Sequence, residues 1–173
     1  MTTLIFYSST DGHTRKIAET MANDWHGPVQ VAPLADFADW IGDDKVHCVV
    51  IGASIRYGHF QDELIKTVSK HKAWLNDRQT AFFGVNLTAR KPGRADPARS
   101  PYVQKFLRAS GWRPDHLALF AGKLDYPLYR FFDKQMIRLI MKITGGCADG
   151  TSTIEYTDWQ EVSRFSKTLS GLA

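Results

Sequence analysis

Cysteine is scarce: Cys48 and Cys147 are the only two in 173 residues, they stand far apart, and no CxxC pair exists. Neither a disulfide framework nor a zinc site is suggested, and a reducing compartment is the expectation. The triphosphate loop GxxxxGK(S/T) and the dinucleotide loop GxGxxG are also missing, which disfavours a nucleoside triphosphate or a pyrophosphate ligand. No repeat and no low-complexity tract occurs. The N-terminus has no basic n-region and only a four-residue apolar run, so no signal peptide is expected and the cytosol is the expected location. Excess charge is small, with 22 Lys and Arg against 18 Asp and Glu. The resulting +4 favours anionic partners without choosing among them. What is present is ordinary globular material, 43% hydrophobic and 23% charged, sufficient for one core-forming domain over residues 1–173.

Two apolar runs, Leu4 to Tyr7 and Val46 to Ile51, have too few polar positions for a wet face and read as buried parallel strands. Further strands are expected at Val29 to Val31, Thr80 to Val85, Leu117 to Phe120 and Thr153 to Tyr156. Helical patterns fall between them, at Thr14 to Trp25, Phe60 to Trp74, Pro101 to Ser110 and Asp158 to Leu169, with Asp158 as N-cap of the last. This alternation predicts an α/β, doubly wound parallel sheet with helices on both faces. Ligands of such sheets bind beyond the carboxyl ends of the strands, so chemistry is expected in the loops that follow them.

The first of these loops brings Ser9, Thr10, Asp11, Gly12, His13 and Thr14 to the start of a helix. Free backbone N–H groups and a positive dipole end converge there, and a monophosphate would fit. A turn capped by Thr10 or Asp11 explains the same residues. The pattern Ser9-Thr10-Asp11-Gly12-His13-Thr14 resembles the FMN-phosphate loop of flavodoxins, except that Asp11 stands where that family usually has Thr. The resemblance implies a five-stranded sheet in the order 2-1-3-4-5 and non-covalent FMN, with no metal. It also implies that Ser54, Ile55, Arg56, Tyr57 and Gly58 cover one side of the flavin ring, Tyr57 being the stacking candidate. Asn86, Leu87, Thr88, Ala89 and Arg90 would line the other. A pI near 9.1 argues against an acidic electron carrier and for an anionic substrate.

Between the fifth strand and the last helix, residues 122–150 form an insertion containing PLYRFFDKQMIRLIMKI, Pro127 to Ile143. Arg130, Lys134, Arg138 and Lys142 recur every four residues and share one helical face, while much of the remaining circumference is apolar. As a helix, residues 128–143 would reach only about 24 Å, against a hydrocarbon core of about 30 Å. An amphipathic helix lying in a membrane interface is therefore expected rather than a span. Packing on the domain itself, or in a dimer, is the alternative. The phosphate loop, FFDKQMIRLIMKITGG and EYTDW together resemble the flavodoxin-type, quinone-dependent protoporphyrinogen IX oxidases of bacterial haem synthesis. That resemblance implies oxidation of protoporphyrinogen IX, with a membrane quinone (menaquinone or ubiquinone) as acceptor and a peripheral position on the cytoplasmic face of the inner membrane. Lys91, Arg130 and Arg138 are the candidates to pair with the substrate propionates. No acid or base is nominated, no nucleic-acid role is expected, and a homo-oligomer stays open. A soluble electron-transfer flavodoxin and an NAD(P)H:quinone reductase are the competing readings.

Overall fold

A computed structural model describes residues 1–171 of the chain. Strands β1 (Thr2–Ser8), β2 (Val29–Pro33), β3 (Val46–Ser54), β4 (Gln79–Asn86) and β5 (His116–Ala121) form one parallel sheet in the order β2-β1-β3-β4-β5. This is the expected architecture, and every strand extends a residue or more beyond its apolar run. Side chains alternate to two dry faces. Leu4, Phe6, Val49, Ile51, Phe82 and Leu119 meet one core, beneath α2 (Asp62–Lys70), α3 (Lys72–Asn76) and α4 (Pro101–Ser110). Ile5, Val50, Ala81, Phe83 and Phe120 meet the other, beneath α1 (His13–Asn23) and α6 (Trp159–Ser170). Gly52 lies in mid-strand because a Cβ there would stand 2.0 Å from the Phe83 ring.

Several elements differ from the sequence expectation. Phe60 to Trp74 is not one helix: His71, at φ −108° and ψ 17°, breaks it into α2 and α3. Residues Leu34–Trp40 form a 3-10 segment that the pattern did not reveal. The strand expected at Thr153 to Tyr156 exists as β7 (Thr153–Glu155) but stays out of the main sheet, pairing antiparallel with β6 (Lys123–Asp125). That two-stranded ladder closes the base of the insertion. From it a 3-10 turn, Tyr126–Leu128, leads into α5 (Phe131–Ile143). Leu124, Tyr126, Tyr129, Ile137 and Met141 make a separate small core under α5. Asp158 caps α6 as expected, accepting the Gln160 and Glu161 N–H groups. Among the described residues, no helix is long and apolar enough to cross a membrane.

Candidate functional site

The loops leaving the carboxyl ends of β1, β3 and β4 converge on a cavity of about 580 Å³, within the range of small-molecule sites. On the β1 side, Gly12 enters α1 in the left-handed region, φ 83°, where a residue with a Cβ would be strained. No side chain caps α1. The alternative of a turn closed by Thr10 or Asp11 is thereby set aside, and the positive end of an 11-residue helix is left toward Ser9, Thr10, His13 and Thr14 on the cavity wall.

Asp11 also lines the cavity, but its carboxylate is engaged by a cation. Its Oδ2 accepts from Arg56 Nη2 at 2.5 Å, and the same guanidinium lies 5.6 Å from the Tyr129 ring centroid. His13 is fixed by a chain of bonds: Thr157 Oγ1 gives its proton to the Ala121 carbonyl at 2.7 Å, so Nε2 of His13, 2.6 Å away, must be the donor to that hydroxyl. Burial is the main cause that lowers the His13 pKa; Glu155 opposes it, while Lys16 and Lys123 add to it. Nε2 of His13 therefore carries a proton, and burial disfavours the charged ring.

On the β3 side, Arg56 N–H donates to His59 O at 3.0 Å and His59 N–H to Arg56 O at 3.2 Å. Between them Tyr57 and Gly58 both have positive φ, 52° and 81°, making a tight reversal. A left-handed tyrosine costs about 1 kcal/mol, a strain expected at ligand-covering turns. Tyr57 remains 43% exposed, and its hydroxyl donates to Asp133 of α5. Burial first, then the Asp133 carboxylate, push this phenol up to about 12. Ser54 to Gly58 all line the cavity.

On the β4 side, Asn86, Leu87 and Thr88 line the cavity, but Ala89 and Arg90 do not. Ala89 is buried in the core beneath α2 and α4, its N–H given to Asn86 Oδ1 at 2.8 Å. Arg90 turns its guanidinium onto backbone, donating to Leu87 O at 2.6 Å, and to Thr144 O and Oγ1 at 3.2 and 3.1 Å, with the Tyr156 ring at 5.5 Å. Of the three cations expected to meet substrate, Lys91 lines a neighbouring cavity, and neither Arg130 nor Arg138 lines either one. Arg138 donates to Ala148 O at 3.0 Å and packs across Gly150.

The fourth wall was not read from the sequence. Tyr129, Met136, Ile137, Ile140 and Thr144 of the insertion line the cavity, with Lys123 and Asp125 at its base and Tyr102 from α4. The spacing 136, 137, 140, 144 is a helical stripe, and it lies inside the apolar circumference that looked too wide for a core.

These features fit a flavin: an uncapped helix end for an anion, two loops on opposite sides, and a largely apolar body. A flavodoxin domain model matches residues 4–151. Protoporphyrinogen IX dehydrogenase (quinone) of Escherichia coli K12 is 43% identical over 180 residues, covering 99% of this chain and 96% of that protein. A Leishmania major protein of the same name is 43% identical over 174 residues, covering 98% of this chain and 74% of its own. Among solved structures, a flavodoxin from the domain Archaea superposes with TM-score 0.56 at 17% identity, covering 99% of this chain and 98% of that one. A short-chain flavodoxin associated with a non-canonical PDU bacterial microcompartment gives 0.58 at 12%, covering 100% and 99%. At such identities the two structures speak for the fold alone. The chain belongs to the flavodoxin-domain family, in company with the proteins named protoporphyrinogen IX dehydrogenase.

Proposed function

We propose that this protein oxidises protoporphyrinogen IX with bound FMN and passes the electrons to a membrane quinone. The observation that carries the reading is the cavity's composition: a phosphate-loop edge on one side and the insertion's apolar stripe on the other, in a chain 43% identical to the named dehydrogenases along 99% of its length. When bound, FMN would supply the hydride-accepting chemistry. The protein's part is to hold and shield. Ser9, Thr10, Thr14 and the open N–H groups of α1 would take the phosphate, with His13 beside them. Ser54 to Gly58 and Asn86 to Thr88 would flank the ring. Met136, Ile137, Ile140 and Tyr129 would exclude water and offer an apolar surface to the tetrapyrrole macrocycle.

The exposed side of α5 supports the quinone and membrane part of this proposal. Phe131, Phe132, Leu139 and Ile143 face outward, Phe132 with 84% of its surface free, flanked by Arg130 and Lys142. Such a face suits the interface of an anionic bilayer, and each basic residue near that surface adds about 1 kcal/mol. The protein would sit peripherally at the cytoplasmic face of the membrane that carries its acceptor.

Anaerobic mixing of FMN-loaded protein with protoporphyrinogen, before any quinone is added, tests the reading. Bleaching of the flavin band, followed by recovery on adding quinone, is expected. An unchanged flavin band would refute it, and rapid bleaching by NAD(P)H alone would favour a quinone reductase instead.

A further inference from the structure

Beside the flavin-sized cavity lies a second one, of about 440 Å³, at the turn between β4 and α4. The two share Asn86, Thr88, Tyr102 and Thr144, so they meet along one wall. Charge in the second is one-sided, with Lys91, Arg94 and Arg99 against the single carboxylate of Asp96. That carboxylate is already engaged by Arg99 at 3.5 Å and by the Ala98 N–H at 2.9 Å. Among the described residues, no acidic side chain pairs with Lys91 or Arg94. The ten-residue helix α4 also begins at this wall, adding the positive end of its dipole.

The loop that carries these cations is built into the domain. Arg94 N–H donates to Lys91 O at 3.0 Å around left-handed Gly93, and Ala95 packs on the core beneath α4. Gln104 Nε2 holds Pro97 O at 3.2 Å, and Ser100 caps α4.

We propose that this second cavity is a carboxylate-binding annex of the substrate site, where Lys91 and Arg94 hold the acidic side chains of the tetrapyrrole. The inference rests on the tetrapyrrole reading above. An apolar macrocycle with carboxylates along one edge requires an apolar wall that gives way to a cationic one. The cavity supplies that sequence, from Met136 and Ile140 to Thr144 and on to Lys91 and Arg94. Exposed cation–carboxylate pairs are weak singly, but two cations and a helix end sharing one enclosure act on the same anionic edge.

The test uses FMN-loaded protein titrated with mesoporphyrin IX, already oxidised and so unable to reduce the flavin, and with its dimethyl ester in the same detergent. Wild type should bind the free acid about tenfold or more tightly than the ester. Lys91→Ala with Arg94→Ala should abolish most of that preference and leave ester binding unchanged. Lys105→Ala with Arg108→Ala, which removes the same charge from exposed positions of α4, should preserve it. In turnover, the Lys91 and Arg94 variant should raise KM with kcat held. Equal binding of acid and ester by wild type overturns the inference. So does a preference that survives in the Lys91 and Arg94 variant, or a loss matched by the Lys105 and Arg108 control. Failure of protoporphyrinogen to bleach wild-type flavin would instead overturn the proposed function, so the two failures are separable.

Discussion

Asp11 places a carboxylate in a loop expected to receive a phosphate, and its partner decides whether that is tolerable. Two like charges about 4 Å apart at a protein surface cost on the order of 4 kcal/mol, enough to defeat the site unless offset. Arg56 offsets it at 2.5 Å, with both side chains only partly exposed, 25% and 31%. The departure at Asp11 was legible in the sequence, but its compensation was not, because 45 residues separate the pair and no local spacing links them. Arg56→Ala should therefore weaken FMN binding by roughly 10- to 100-fold, about 1.4 to 2.8 kcal/mol, as an unpaired carboxylate faces the phosphate. In the Asp11→Thr background the same change should cost much less. FMN dissociation constants from fluorescence quenching of the four proteins close the cycle. An equal loss in both backgrounds would mean that Arg56 acts on the phosphate directly.

Helix α5 shows what a periodic pattern conveys and what it conceals. Its existence was legible from PLYRFFDKQMIRLIMKI, but its start was not. The expected beginning at Leu128 gives way to Phe131, because Tyr129 turns inward, its hydroxyl accepting the Asp125 N–H at 3.1 Å, before the helix can form. The apolar circumference, read as one wide surface, resolves into three. Ile137 and Met141 enter the small core, Met136 and Ile140 join Ile137 on the cavity wall, and Phe131, Phe132, Leu139 and Ile143 are left outside. Arg138, grouped with the basic face, is committed to Ala148 O. These assignments separate what a deletion of the helix would confound. Burying a phenylalanine stabilises by about 1.5–3 kcal/mol, so Phe131→Ser with Phe132→Ser should lower partition onto anionic vesicles about tenfold or more while FMN affinity stays unchanged. Vesicle flotation measures the first and flavin titration the second. Unaltered flotation would remove the membrane role from this face.

Across the whole molecule, the five-stranded sheet was legible because both of its faces are dry, so its strands announce themselves as short apolar runs. The insertion's base was legible only in part: the strand at Thr153 to Tyr156 was expected and exists as β7, but LysLeuAsp of β6 carries no periodic signal, and nothing local gave their antiparallel pairing. Nor could the sequence show what joins the two parts. Arg90 read as a flavin contact, yet it clamps the β4 loop at Leu87 to the far end of α5 at Thr144, under the Tyr156 ring. Gly146 keeps that path open, since a Cβ there would stand 2.6 Å from Arg90 Nη2. Removing the clamp leaves the sheet's cores intact and loosens only the insertion against them. Arg90→Ala should thus lower the local opening free energy of residues 123–155 by about 1.5–3 kcal/mol, the scale of hydrogen bonds from a charged donor. In hydrogen exchange read by mass spectrometry, peptides from α5 and β7 should exchange about tenfold or more faster, while those of β1, β3 and β4 keep wild-type protection. Arg90→Lys should restore little, because an ammonium cannot span the Leu87 and Thr144 carbonyls as the fork of guanidinium nitrogens does. Uniform acceleration across the sheet, or none in α5, would show that the insertion is held by its own small core and not by Arg90.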